Sequence, residues 1–141
     1  MNDLTIRSYD PSDQDGVVGL WTACGLVVPW NDPVKDITRK HNFQKELFLI
    51  AVANGELVGT VMAGYEGHRG WINYLAVAPS YQRSGIGRQL MREAETLLQA
   101  RGCPKINLQV RATNTGVIEF YQKLGFSYDD VVSLGKRLEK D

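Results

Sequence analysis

Gln82-Arg83-Ser84-Gly85-Ile86-Gly87 stands between an apolar run, Trp71–Val77, and an amphipathic one that begins at Ile86. Two glycines one residue apart at the joint of a strand and a helix create an opening. The first turn of a helix carries unpaired N–H groups and a partial positive charge. A multi-oxygen anion such as a pyrophosphate binds there when no Cβ blocks its approach. Gly85 and Gly87 remove that obstruction, and Arg83 and Arg88 add mobile positive charge beside it. A sharp turn alone would use the same glycines. Two nucleotide motifs can be excluded. Leu90 stands where a dinucleotide fingerprint needs its third glycine, and Gly87-Arg88-Gln89 replaces the Gly-Lys-Ser/Thr of a P-loop.

Other chemistry is scarce. His41 and His68 are isolated, and Cys24 and Cys103 lack CxxC spacing, so no metal site and no disulfide framework is expected. Sixteen basic residues balance sixteen acidic ones, which removes any charge argument for nucleic acid or a membrane surface. No apolar run reaches the roughly 20 residues of a membrane span, and "MNDLTIRSYD" lacks the features of a secretion signal. The expectation is a cytoplasmic protein with reduced thiols.

The elements that must position the loop follow from periodicity. "LTIRSY" (4–9) alternates and reads as a strand. Asp10 with Pro11, and Asp32 with Pro33, mark two helix starts. Residues 47–77 read as an antiparallel meander whose first turn is Asn54-Gly55. Ile86, Leu90, Ala94, Leu97 and Leu98 form a helical stripe with Met91 at its edge. "KINLQV" (105–110) is a strand, "GVIEFYQKLG" (116–125) a short helix, and "FSYDDVVSLGKRL" (126–138) two further strands. The chain of 141 residues reads as one domain, 1–141. Its expected class is α/β: a mixed, mostly antiparallel sheet of about seven strands, with a splayed central parallel pair and about four helices.

"YLAVAPSYQRSGIGRQLM" resembles motif A of the GNAT superfamily, acyltransferases that use acetyl-CoA; Gln82, Gly85 and Gly87 match its Arg/Gln-x-x-Gly-x-Gly/Ala signature. "NLQVRATNTGVIEFYQKLGF" is similar to that family's second half, and more narrowly to RimI-like N-terminal acetyltransferases. "VVPWNDPVKDITRK", "GYEGHRG" and "SLGKRL" further resemble the bacterial YpeA branch. The resemblance implies the GNAT fold, acetyl-CoA as co-substrate without a metal, and a primary amine of a small molecule or a protein as acceptor. It implies that backbone groups of Leu75, Ala76 and Val77 pair with pantetheine where the strand splays from its neighbour after Leu108–Val110. Gln82 and the amides of Arg83, Ser84, Gly85, Ile86, Gly87 and Arg88 would hold the pyrophosphate, and Asn114 the pantetheine arm. A homodimer is compatible with it.

Tyr121 matches the tyrosine that protonates the departing thiolate in this family. A phenol with a reference pKa of about 10 is a proton donor at neutral pH. Tyr121 also fits the apolar stripe of its helix, so core packing is the competing reading. Gln109 stands where RimI-like relatives carry a glutamate, and an amide cannot accept the amine's proton. Water held by Gln109, Asn73 and strand carbonyls, or Glu66 in the turn, is expected to relay it. Trp30, with Asn31 and Asp32, lies in the segment that borders the acceptor groove in relatives. A non-catalytic acyl-CoA sensor on the same fold is the alternative function.

Overall fold

The computed structural model describes residues 3–141. Two compact units make up the chain, Met1–Leu108 and Gln109–Asp141. The first contains β1 (Leu4–Ser8), α1 (Gln14–Ala23), α2 (Pro33–His41), β2 (Phe48–Ala53), β3 (Glu56–Tyr65), β4 (Gly70–Val77), α3 (Ile86–Ala100) and β5 (Ile106–Leu108). The second contains α4 (Thr115–Lys123).

The helix starts form as their caps dictate. Asp10 accepts from the Ser12 amide, and Asp13 returns a bond to the Asp10 amide, which closes a capping box before α1. Asp32 accepts from the amides of Val34 (2.9 Å) and Lys35 (3.2 Å), with Pro33 opening α2.

The strands lie in sequence order, β1-β2-β3-β4-β5. The first four pair antiparallel and β4 pairs parallel with β5. Among the described residues this is a mixed α/β sheet of five strands rather than about seven, and its parallel pair lies at one end, not at the centre. The tail 126–138 forms no strand. Strand stability comes from cross-strand partners and burial, and Tyr128, Val131, Val132, Leu134 and Leu138 have neither burial nor a ladder; each is at least 76% exposed. β5 is also shorter than the 105–110 run, which ends as a strand at Leu108.

Both faces of the sheet are covered in the first unit. Phe48 and Ile50 of β2 pack with Val17, Leu20 and Trp21 of α1 and Ile37 of α2. Ala51 and Gly59 face the other way, toward Leu90 of α3. A Cβ on Gly59 would stand 3.0 Å from Leu90 Cδ1 and 3.2 Å from the Ala76 carbonyl, so a side chain there would push α3 off the sheet. Ile86, Leu90, Met91, Ala94 and Leu98 of α3 are buried, each large one contributing about 1.5–3 kcal/mol. Met91 is fully inside this seam, whereas Leu97 is only half-buried at its border.

One cation is buried with the core. The Lys40 ammonium donates to the Ala63 carbonyl, and burial lowers its pKa to about 8. The folded value lies below the unfolded one, so between about pH 8 and 10 the unfolded chain binds more protons and stability rises with pH. The expected thermal midpoint therefore climbs across that window, and the climb disappears in Lys40→Met; melting curves at matched ionic strength measure both.

Candidate active site

β4 carries the site's first irregularity. Its register with β3 runs Thr60↔Ala76 and Met62↔Asn73, so Tyr74 and Leu75 together oppose Val61. That is a β-bulge, an extra residue that disrupts the ladder and re-aims the strand. Tyr74 sits at φ 52°, in the left-handed region. On the opposite edge the parallel pairing ends at Ile72↔Leu108, while β4 continues to Val77. The parallel ladder therefore ends with β5 at Leu108, leaving the last residues of β4 without a strand partner on that edge in the first unit.

Beyond β4 a 3-10 turn, Pro79–Tyr81, leads into the glycine loop. Arg83 has φ 65° and Gly85 φ 87°. Left-handed residues alternating with ordinary ones turn successive N–H groups toward one concavity, the geometry of an anion-binding nest. Gly85 is the N-cap of α3 and makes no side-chain cap, so the first turn of α3 has no capping side chain. A Cβ on Gly85 would have no protein atom within 4 Å. Gln82, Arg83, Ser84, Gly85 and Arg88 are exposed around this opening, and Ile86 is buried as its anchor. The Ser84 hydroxyl donates to the Tyr81 carbonyl.

Two donors converge on the end of β4. The Val77 carbonyl accepts from Gln82 Nε2 at 3.1 Å and from Cys24 Sγ at 3.3 Å. Both lone pairs of that oxygen are therefore engaged, and Gln82 is a strut for the loop. Burial raises the Cys24 thiol pKa, so little thiolate is present near neutrality.

Elsewhere in this unit Asn73 is exposed on β4, and Trp30 is 54% exposed before α2. Glu66 closes its own turn: its Oε1 accepts from the amides of His68 and Arg69, both at 2.5 Å. Those bonds hold its carboxyl below the usual carboxylate range, which makes it a weaker base.

In the second unit Asn114 is the N-cap of α4, without a side-chain capping bond. Tyr121 is buried in α4, edge-on to Phe120 (5.2 Å between centroids) and Phe126 (5.6 Å). Burial pushes its phenol up to about 12, so it carries its proton throughout the neutral range. Gln109 is exposed and donates to the Ser133 hydroxyl. Among the described residues no cluster of three His, Cys, Asp or Glu could hold a metal, and no helix is long and apolar enough to cross a membrane.

Residues 16–126 match the acetyltransferase (GNAT) family, and the chain belongs to it. An acetyltransferase of Pectobacterium atrosepticum is 49% identical over 138 residues, 98% of both chains. The Ard1 structure from Thermoplasma volcanium superposes with a TM-score of 0.77 at 25% identity, over 88% of this chain and 82% of that one. The ribosomal-protein-S18-alanine N-acetyltransferase of Escherichia coli does so with 0.74 at 26%, over 88% and 77%.

Sequence reasoning missed the bulge and what surrounds Tyr74. One signal was available: Thr60 is the only polar side chain between Leu57 and Tyr65. A lone hydroxyl in the buried stretch of a strand needs a partner.

Proposed function

We propose that this chain transfers acetyl from acetyl-CoA to a primary amine, of a small molecule or of a protein or peptide, by direct attack. The observation that carries the reading is the left-handed loop from Arg83 to Gly85, open at an uncapped helix start. Its amides, from Arg83 to Arg88, hold the diphosphate, and main-chain groups of Leu75 and Ala76, with the Val77 amide, meet the pantetheine arm. Asn114 bonds the same arm.

In the reaction the amine nitrogen forms a bond to the thioester carbon while the carbon–sulfur bond breaks. Main-chain N–H groups of β4 polarise the carbonyl as its oxygen gains charge. The departing thiolate takes its proton from the Tyr121 phenol. The amine loses its proton through water ordered by Asn73 and strand carbonyls. Glu66 has a lowered pKa and an occupied oxygen, so its part is at most acceptor contact. Trp30 offers the acceptor an exposed ring. The raised Cys24 thiol argues against an acetyl-cysteine intermediate. The structurally similar enzyme from E. coli, a ribosomal-protein-S18-alanine N-acetyltransferase, supports a peptide amine, and the resemblance of residues 107–126 to RimI-like enzymes is in keeping with it. A small-molecule primary amine is the other acceptor class.

Following thiol release from acetyl-CoA over peptides with free amino termini and over small primary amines tests this. Acceptor-dependent release is expected. Saturable CoA binding with no release over the whole set contradicts it.

A further inference from the structure

Tyr74 is held at three points. Its carbonyl accepts from the Thr60 hydroxyl at 2.8 Å. Its ring lies on the Trp21 indole, 3.7 Å between centroids and 10° from parallel. Its phenol donates to Asp36 Oδ2 at 2.6 Å. The holders are themselves held. Trp21 Nε1 donates to Thr60 Oγ1 at 2.9 Å, so one hydroxyl both accepts from the indole and donates to the bulge. Asp36 Oδ1 accepts from Arg39 at 3.0 Å within α2. Trp21 and Thr60 are completely buried.

A bulky residue at positive φ is an outlier that persists only where its surroundings over-determine it. Here α1, α2 and β3 each send one side chain to the same residue. The packing of Trp21 alone would be satisfied by any flat apolar partner. The hydroxyl relay fixes the Tyr74 carbonyl and the Asp36 bond fixes its phenol, so main chain and side chain of one residue are both tied.

We infer that Thr60, Trp21 and Asp36 are positioning residues that clamp Tyr74 into the bulge, and thereby aim the main-chain N–H groups after it at the thioester carbonyl. This rests on the acetyl-CoA reading above. It adds that the aim is set from outside the cofactor site, by a relay running from α1 through β3 into β4. Loosening the relay lets Tyr74 relax toward ordinary extended backbone, which rotates the following amides. The diphosphate loop lies after β4 and keeps its grip, so the cofactor still binds, with only its contacts to Leu75 and Ala76 weakened, while carbonyl polarisation is lost.

The test uses acetyl-CoA isotope-labelled at the thioester carbonyl, read by infrared difference spectroscopy on the full chain, alongside calorimetric titration with CoA. In the native protein the carbonyl stretch moves to lower frequency on binding. Thr60→Val is expected to lose most of that movement, Thr60→Ser to keep it, and Tyr74→Phe to lose part of it. CoA affinity should fall by less than about tenfold in all three, the worth of one hydrogen bond to the pantetheine arm, because the diphosphate grip remains. A merely structural role for Thr60 would lower the melting temperature without moving the carbonyl band of the bound thioester. If Thr60→Val does not fold, Tyr74→Phe carries the test, because it removes one oxygen from a partly exposed ring. A carbonyl band that moves as far as in the native protein in the variants that fold, with acetyl-CoA bound, overturns the inference. Absence of CoA binding to the native protein overturns the cofactor reading itself, and the inference with it.

Discussion

Tyr121→Phe will lower turnover by about 10²–10⁴-fold, the usual worth of a general acid, which corresponds to about 3–5 kcal/mol of barrier. The substitution keeps the ring and its edge-on contacts with Phe120 and Phe126, so packing in α4 is preserved. Only the proton is removed. With a phenol pushed up to about 12, the residue stays protonated across the assay range, and its loss should depress the rate at every pH below about 10 without shifting the profile. CoA affinity should be nearly unchanged, since the phenol acts where the thiolate develops and the diphosphate is held by another part of the chain. Steady-state kinetics with a titration of CoA measure both. A variant that turns over like the native chain makes Tyr121 a core residue and nothing more. One that fails to fold leads to the same conclusion, because the lost hydroxyl was then needed for packing.

Gly85→Val will weaken CoA binding by about 5- to 150-fold, from the roughly 1–3 kcal/mol that a left-handed conformation costs a residue with a side chain. The physical cause differs from a simple clash. No protein atom lies within 4 Å of the position a Cβ would take, so the chain can carry the side chain without disturbing its core. At φ 87°, however, a branched residue prefers to let the loop relax. Binding must then restore the nest. The penalty therefore appears in affinity and not in the melting temperature. Gly85→Ala should show a smaller loss of the same sign, and calorimetry with thermal melting on both variants separates affinity from folding. Native-like affinity in Gly85→Val would remove the loop from the cofactor site.

Much of the first unit was legible in the sequence because its signals are local. Asp10-Pro11 and Asp32-Pro33 announce helix starts, Asn54-Gly55 a hairpin, and the Ile86–Leu98 stripe a helix seated on a sheet. The glycine loop was legible for the same reason, since backbone freedom is written in residue type. Three things were not. The tail's Val131, Val132 and Leu134 alternate with too few polar partners to fix a register, and what decides a strand there is a neighbour, not its own propensity. The length of β5 was overread because Gln109 and Val110 continue the alternation of 106–108 after pairing has stopped. The bulge at Tyr74 left no mark in its own residue type, because nothing about tyrosine announces positive φ. It depends on Trp21, Thr60 and Asp36, which are distant in sequence and meet only in the fold. Side chains that hold a strained backbone from three elements are a tertiary fact.

The grip of the glycine loop on a diphosphate is the claim from which the rest follows, and calorimetric titration of the purified chain tests it most directly. Coenzyme A should bind saturably, while pantetheine, which keeps the thiol arm and lacks the diphosphate, should bind far more weakly. Equal affinity for the two, or no saturable binding of coenzyme A, would contradict the account.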